Sequence, residues 1–406
     1  MLRRFGVIAI AAGAVVAAAI GSSASATTAK TAAVSPLCKQ AGIGFAGPLS
    51  GPASFLGTDQ HHWEALFLSS WNSGKAIPGV PAGLKRVKLK DALQGDSQLN
   101  PQVSATVAGQ MASNKSILAM VGFAGSNENL GGGPVLDRAG MAYVSGSATV
   151  DELTSKLKNF FRVVPNNAKQ ASVGVSYIRK TLGLQSGDQV MVVDDGEAYG
   201  VGIASTAQKL FEAAGAKVDR ESVPESTSSG TADFSSLAQK AVATHAKLVY
   251  APTQVASDSQ LFTQQLKNAG YTGAFMATDG SLDSTSFKFP GAYISFFGPG
   301  ITAISKSFVA AYTTKYGAKA ASDPFGAPSF VAAEMIGIAI SRSCAASGKT
   351  SRAAVAKALR SVTLPTSILG HAISFDNAGD VRKGPARGVT VFKIQPDGTY
   401  KQVFAG

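Results

Sequence analysis

The chain has 406 residues, 45% of them hydrophobic and 15% charged, with a formal net charge of +12 at pH 7 and two cysteines. That length suits a leader plus two domains of ordinary size. The basic excess raises nucleic acid as a partner. Its densest cluster, "LKRVKLK" at 84–90, alternates like a strand with one solvated face and has no interleaved aromatics for base stacking, so none is expected.

In chain order, Arg3 and Arg4 precede an apolar run from Phe5 to Ile20, and "GSSASA" follows. This charged, apolar, small-residue order is that of a secretory signal, with cleavage expected after Ala26. Residues 1–26 are therefore read as a signal peptide and 27–37 as a linker, and the protein is expected in the periplasm or on the extracellular face of the envelope. The apolar run is short for a retained span of about 20 residues, and no later segment reads as long and apolar enough to cross a membrane. An even cysteine count in an exported chain predicts a Cys38–Cys344 disulfide. The rival is a lipid anchor on Cys38, against which stands Leu37, a large residue where lipoprotein signals usually have a small one.

Beyond the leader, strands and helices alternate. "AGIGFAG" (41–47) reads as a strand, and 57–73 as a helix with Trp63, Leu66, Phe67 and Ser70 on one face. "VKLKDAL" predicts a strand, Pro101 opens a helix to about Ser113, and "SILAMV" is the next strand. Further helix and strand signals follow to "FFRVVPNN" at 160–167, where the pattern restarts. Helices are expected at "ASVGVSYIRKTL", at "AYGVGIASTAQKLFEAAG" ended by Gly215, at "ADFSSLAQKAVATH", and at "SDSQLFTQQLKNAG" with Ser257 or Asp258 as cap and Gly270 as stop. Strands between them are "QVMVVDD", "AKVDRESV", "AKLVYAP" and "GAFMATD". This alternation predicts an α/β fold of two lobes, each a parallel sheet with right-handed helical crossovers. "AYISFFGPG" (292–300) predicts a crossing between lobes. Helices at about 303–316, 326–346 and 351–360 follow, and the tail reads as strands with tight turns at Asn377–Gly379 and Pro396–Gly398.

Two neighbouring strand ends carry the functional signal. Apolar Ile117–Val121 stops at "GFAGSN", and Met141–Val144 stops at "SGSAT". Ligands of open parallel sheets bind beyond the carboxyl ends of the strands, where small residues let a ligand reach the backbone. A serine at the following helix start adds a hydroxyl to free N–H groups and a positive helix end. Ser126, Ser147, Thr149 and backbone amides thus form a candidate socket for an anion, most simply a carboxylate.

Four stretches, "PLSGPASFLG" (48–57), "VGFAGSNENLGGGPVLDRAGMAYVSGSATVDELT" (121–154), "VVDDGEAYGVGIA" (192–204) and "AFMATDG" (274–280), make the sequence resemble the periplasmic leucine/isoleucine/valine-binding proteins, the solute receptors of branched-chain amino-acid ABC importers. The resemblance implies two α/β lobes joined by three crossings around a ligand cleft. The first lobe would comprise 38–166 plus 299–370 and the second 167–298 plus 371–406. It places the carboxylate-binding serine at Ser126 and further contacts at Ser147, Ala148 and Thr149. A second-lobe tyrosine falls on Tyr199, and the acidic partner of the ligand ammonium on Asp279, one methylene shorter than the usual glutamate. Leu56, beside Phe55, stands where an aromatic residue is usual, Asn167 where an acid is usual, and no tyrosine occurs at 253–255. The implied function is a monomeric, non-enzymatic receptor that captures a small hydrophobic amino acid and delivers it to an ABC permease. Alternatives are a receptor for another small carboxylate or amide (an aromatic or short-chain acid), or an extracellular ligand sensor.

No catalytic residue, cofactor or metal is expected. The chain lacks H-E-x-x-H, C-x-x-C and G-x-S-x-G. Adjacent His61 and His62 cannot make an i,i+4 metal pair on a helix. "LGGGP" lacks the lysine and spacing of a phosphate loop and reads as close packing or a flexible helix start, while "DNAGD" lacks the bidentate glutamate of a calcium loop.

Overall fold

The structure is a computed structural model and describes residues 34–318, 323–382 and 388–406. The signal peptide and most of the expected linker lie outside the described residues.

After a short turn of helix, α1 (Pro36–Lys39), the first run comprises β1 (Gln40–Gly47), α2 (Ser54–Asn72), β2 (Lys88–Asp96), α3 (Pro101–Ser113), β3 (Ile117–Gly122), α4 (Ser126–Arg138), β4 (Ala142–Ser145), α5 (Leu153–Lys156) and β5 (Phe160–Arg162). Its five strands pair in parallel in the order β2-β1-β3-β4-β5, so the two strands that end in small polar residues are neighbours. β1, β3 and β4 are buried on both faces, as expected of strands covered by helices on each side. The glycine triplet of α4 lets it lie close to α3 and β4. A Cβ on Gly131 would stand 2.1 Å from the Pro101 carbonyl oxygen, and one on Gly133 would stand 2.5 Å from the Tyr143 hydroxyl.

The second run comprises α6 (Asn167–Leu182), β6 (Gln189–Asp194), α7 (Ala198–Ala213), β7 (Lys217–Ser222), α8 (Ser235–Ala243), β8 (Leu248–Ala251), α9 (Ala256–Asn268), β9 (Ala274–Ala277) and β10 (Tyr293–Phe296). Then α10 (Lys306–Tyr316), α11 (Ala327–Ser347) and α12 (Arg352–Leu359) return to pack on the first sheet and α2. A ribbon of β11 (Thr363–Leu364) and β12 (Ile373–Ser374) precedes the last crossing, so the expected lobe boundary at 370/371 falls between its strands. Finally β13 (Thr390–Ile394) and β14 (Tyr400–Ala405) add antiparallel to β10, giving the second sheet the order β14-β13-β10-β9-β8-β6-β7.

The chain thus passes three times between the two sheets, after β5, β10 and β12. The crossings are tied together: the buried Arg162 guanidinium pairs with Asp380, and Thr390 Oγ1 donates to the Gly298 carbonyl at 2.7 Å.

Two expectations are corrected. Neither Ser257 nor Asp258 caps α9; the cap position is Val255. Asp258 instead accepts the Ser226 backbone N–H at 2.8 Å and the Ser226 hydroxyl, a tertiary pairing that displaces the local one. And α11 is long and apolar enough to span a membrane, contrary to the sequence reading, but 83% of its apolar window is buried against α2 and the first sheet. It is a core helix, and a disulfide joins its Cys344 to Cys38 of α1 with an S–S distance of 2.01 Å.

Candidate functional site

Between the sheets lies a small pocket, lined on the first-lobe side by Leu56, Ala124, Gly125, Ser126, Ser147 and Phe325. Tyr199, Gln254, Asp279 and Gly280 line it from the second lobe. Five of the seven residues expected to bind ligand therefore meet at one pocket. Ala148 and Thr149 do not line it, but both are buried directly behind Ser147 in the same loop.

The first-lobe wall is built on the start of α4, where backbone and hydroxyl donors gather. The first turn of a helix leaves N–H groups with no partner within the helix and carries a partial positive charge. Ser126 Oγ accepts the backbone N–H groups of Thr149 and Val150 at 3.3 and 3.2 Å, which clamps the loop after β4 onto the start of α4 and leaves the hydroxyl hydrogen to donate. Ser147 is more fully committed: its Oγ accepts from Gln60 Nε2 at 2.8 Å and donates to the Ala124 carbonyl at 2.7 Å. The buried Thr149 Oγ1 has no protein partner. Ala148 N donates to Ser145 Oγ at 2.9 Å. Arg162 Nη1 holds the carbonyls of Ala148 and Val150, at 3.4 and 2.7 Å, so the first crossing fixes the shape of this loop.

Glu128, in the first turn of α4, is fully buried and accepts from Gly125 N and Ser97 Oγ. Burial pushes its carboxyl up to about 7 against the lowering effect of those donors. A negative charge beside the socket is thereby held down near neutral pH.

The opposite wall is acidic. Asp279, 4% exposed, follows β9 in a single 3₁₀ turn, Asp279–Ser281. Its Oδ1 accepts from Tyr199 Oη at 2.7 Å and from Gln170 Nε2. Burial raises its carboxyl to about 6, the two donors working against that shift. Tyr199 Oη also lies 2.6 Å from Thr278 Oγ1. Asn167, at the start of α6, donates to the Tyr199 carbonyl at 3.3 Å and so braces the tyrosine from behind.

Sequence reasoning missed Gln60, Arg162, Gln170, Gln254 and Phe325. Phe325, just before α11, pairs with Phe55 at a ring separation of 6.0 Å and with Leu56 gives the pocket its apolar side. The two walls also touch directly: Asn127 Nδ2 of α4 donates to Glu197 Oε2, next to the start of α7, at 3.1 Å.

Two α/β lobes on three crossings, with donors on one lip and a buried carboxylate on the other, define a hinged receptor for a small molecule. Residues 40–399 match the family described as periplasmic binding protein, and the chain belongs to it. A relative from Pseudomonas aeruginosa, a leucine-, isoleucine-, valine-, threonine- and alanine-binding protein, is 26% identical over 377 residues, covering 89% of this chain and 91% of its own. The fold is shared with a leucine-binding protein from Thermotoga maritima (TM-score 0.76, 20% identity, 90% of this chain and 98% of that one). It is also shared with a solute-binding protein of an ABC transporter from Rhodopseudomonas palustris in complex with 3,4-dihydroxybenzoic acid (TM-score 0.71, 17% identity, 90% and 97%).

Proposed function

We propose that this chain is an exported receptor that captures a small apolar α-amino acid of the branched-chain type and hands it to an ABC permease, with no chemistry of its own. One observation carries the reading: neutral donors of α4 and the loop after β4 face the buried Asp279 carboxylate across one small pocket between the lobes. A zwitterion fits that polarity end to end. Its carboxylate takes the Ser126 hydroxyl and first-turn amides of α4, while Ser147, Ala148 and Thr149 keep the loop in shape. Its ammonium takes Asp279, which Tyr199 and Gln170 hold in place, and its side chain lies against Leu56 and Phe325. A ligand bonded to both lobes favours the closed arrangement because only that arrangement offers both sets of contacts. The leader, the family and the specificity stated for the Pseudomonas relative all support transport, and a permease is the partner expected of such a receptor.

A second reading, a small carboxylate without an ammonium, has one point in its favour: Tyr199 and Gln170 already satisfy Asp279 Oδ1 without a ligand. Thermal-shift screening of the mature protein separates the two, since a ligand that binds only the folded state raises its melting temperature. Leucine, isoleucine or valine is expected to do so. Silence toward all three, with a response to aromatic or short-chain acids, reverses the order.

A further inference from the structure

Away from the pocket lining, α2 and β2 bring together three metal-ligating side chains that solute binding does not use. His61 and Glu64, three residues apart on α2, share a helix face, and Asp91 of β2 stands opposite them. One ligand atom from each lies within 4.8 Å of the other two. His61 Nε2 is 3.0 Å from Asp91 Oδ2 and 3.9 Å from Glu64 Oε2. Glu64 is the unexplained member: its side chain is 0% exposed, and neither carboxylate oxygen has a hydrogen-bond partner. Asp91 Oδ1 is likewise buried and unbonded. An ionised carboxylate in a dry site with no donor is costly, and a second carboxylate beside it adds repulsion.

We propose that His61, Glu64 and Asp91 bind a divalent late-transition-metal ion, zinc foremost. A cation among them gives the two Glu64 oxygens, which have no donor, a partner. Tetrahedral zinc, with bonds of about 2.0–2.2 Å, sets its ligands roughly 3.4 Å apart, and the observed 3.0 and 3.9 Å bracket that spacing. One imidazole nitrogen with two carboxylates suits zinc. The imidazole nitrogen among the ligands disfavours calcium and magnesium, hard cations that take oxygen ligands. His61 and Asp91 are 18% and 22% exposed, which provides the ion an entry path and a water for the fourth position. Gln94 Nε2 donates to Asp91 Oδ2 at 2.6 Å, an outer bond of the kind that orients a ligating carboxylate. The ion would fasten α2 to β2 one residue from Gln60, the side chain that braces Ser147.

The test uses chelator-stripped mature protein carrying no histidine tag, with no amino acid present. Zinc chloride is expected to raise the melting temperature by roughly 2–4 °C, while magnesium and calcium chlorides leave it unchanged. Cobalt(II) should give the visible absorption of a low-coordinate site. His61→Ala should abolish both signals. Glu64→Gln removes the unpartnered charge, so the metal-free variant should be at least as stable as wild type and yet lose the zinc and cobalt responses; it decides the matter even if His61→Ala folds poorly. A wild-type protein indifferent to zinc, or a zinc response that survives Glu64→Gln, overturns the proposal.

Discussion

Replacing Asp279 by asparagine tests the central assignment with little disturbance of shape. The carboxylate is buried, and its Oδ1 accepts from Tyr199 and Gln170. An asparagine can present its oxygen to both donors, so the local framework survives. Its amide nitrogen then replaces the oxygen left for the ligand and offers a donor where an ammonium needs an acceptor. Truncating one partner of a buried, hydrogen-bonded charge pair costs about 2–5 kcal/mol, which at 1.4 kcal/mol per tenfold is roughly a 30- to 4,000-fold rise in Kd. Titration calorimetry with leucine at pH 7.5 measures it. The ligand-free variant should melt no lower than wild type at that pH, because burial has already raised the Asp279 carboxyl to about 6 and the ionised form is the less favoured one in the fold. Wild-type affinity in Asp279→Asn would refute the reasoning, since it would mean that no ammonium sits at this carboxylate.

Other outcomes follow from the same geometry. An ammonium requires ionised Asp279, and with the carboxyl at about 6 in the free protein the wild-type affinity for leucine should be full at pH 7.5 and roughly tenfold weaker at pH 5, whereas Asp279→Asn should lose this dependence; calorimetry at the two pH values checks both. Ser126→Ala removes a donor to the ligand and also strands the Thr149 and Val150 amides, so it should weaken binding and lower stability by about 1–3 kcal/mol, measured by calorimetry and urea unfolding. Reducing the Cys38–Cys344 bond, which spans 306 residues, should lower the melting temperature by several degrees, because a loop of that length carries up to about 5–6 kcal/mol in the chain-entropy account; an unchanged scanning-calorimetry trace in reductant would count against it.

What could be read from the sequence was what local pattern encodes. The alternation of apolar runs and helical periodicity predicted both sheets, because buried parallel strands and their covering helices each leave a short-range signature. Ser126 and Ser147 were visible since small hydroxyl residues stood at the ends of apolar strands. Arg162 was not: it sits in "FFRVV" like any strand residue, and its pairing with Asp380 spans 218 residues. Gln170 reaches Asp279 across 109 residues, and Phe325 precedes a helix that returns from the far lobe. Asp258 shows the same limit in reverse, a good local cap drawn away by Ser226. Glu64 occupied an ordinary position on a helix until β2 brought Asp91 beside it.

Tyr199 has one hydroxyl hydrogen and two acceptors within reach, Thr278 Oγ1 at 2.6 Å and Asp279 Oδ1 at 2.7 Å. A phenol can serve only one of them at a time. With the cleft unfilled, Asp279 is the stronger acceptor and draws the hydrogen, because an ionised acceptor makes the stronger bond. Were an ammonium to bind the carboxylate as proposed, the hydrogen could swing to the threonine by a torsion about the phenolic C–O bond, and no heavy atom would have to move. The second lobe can therefore exchange one partner for another as a rigid surface, with rearrangement confined to a single proton. Domain rotation about the crossings would then be the only large motion that capture requires.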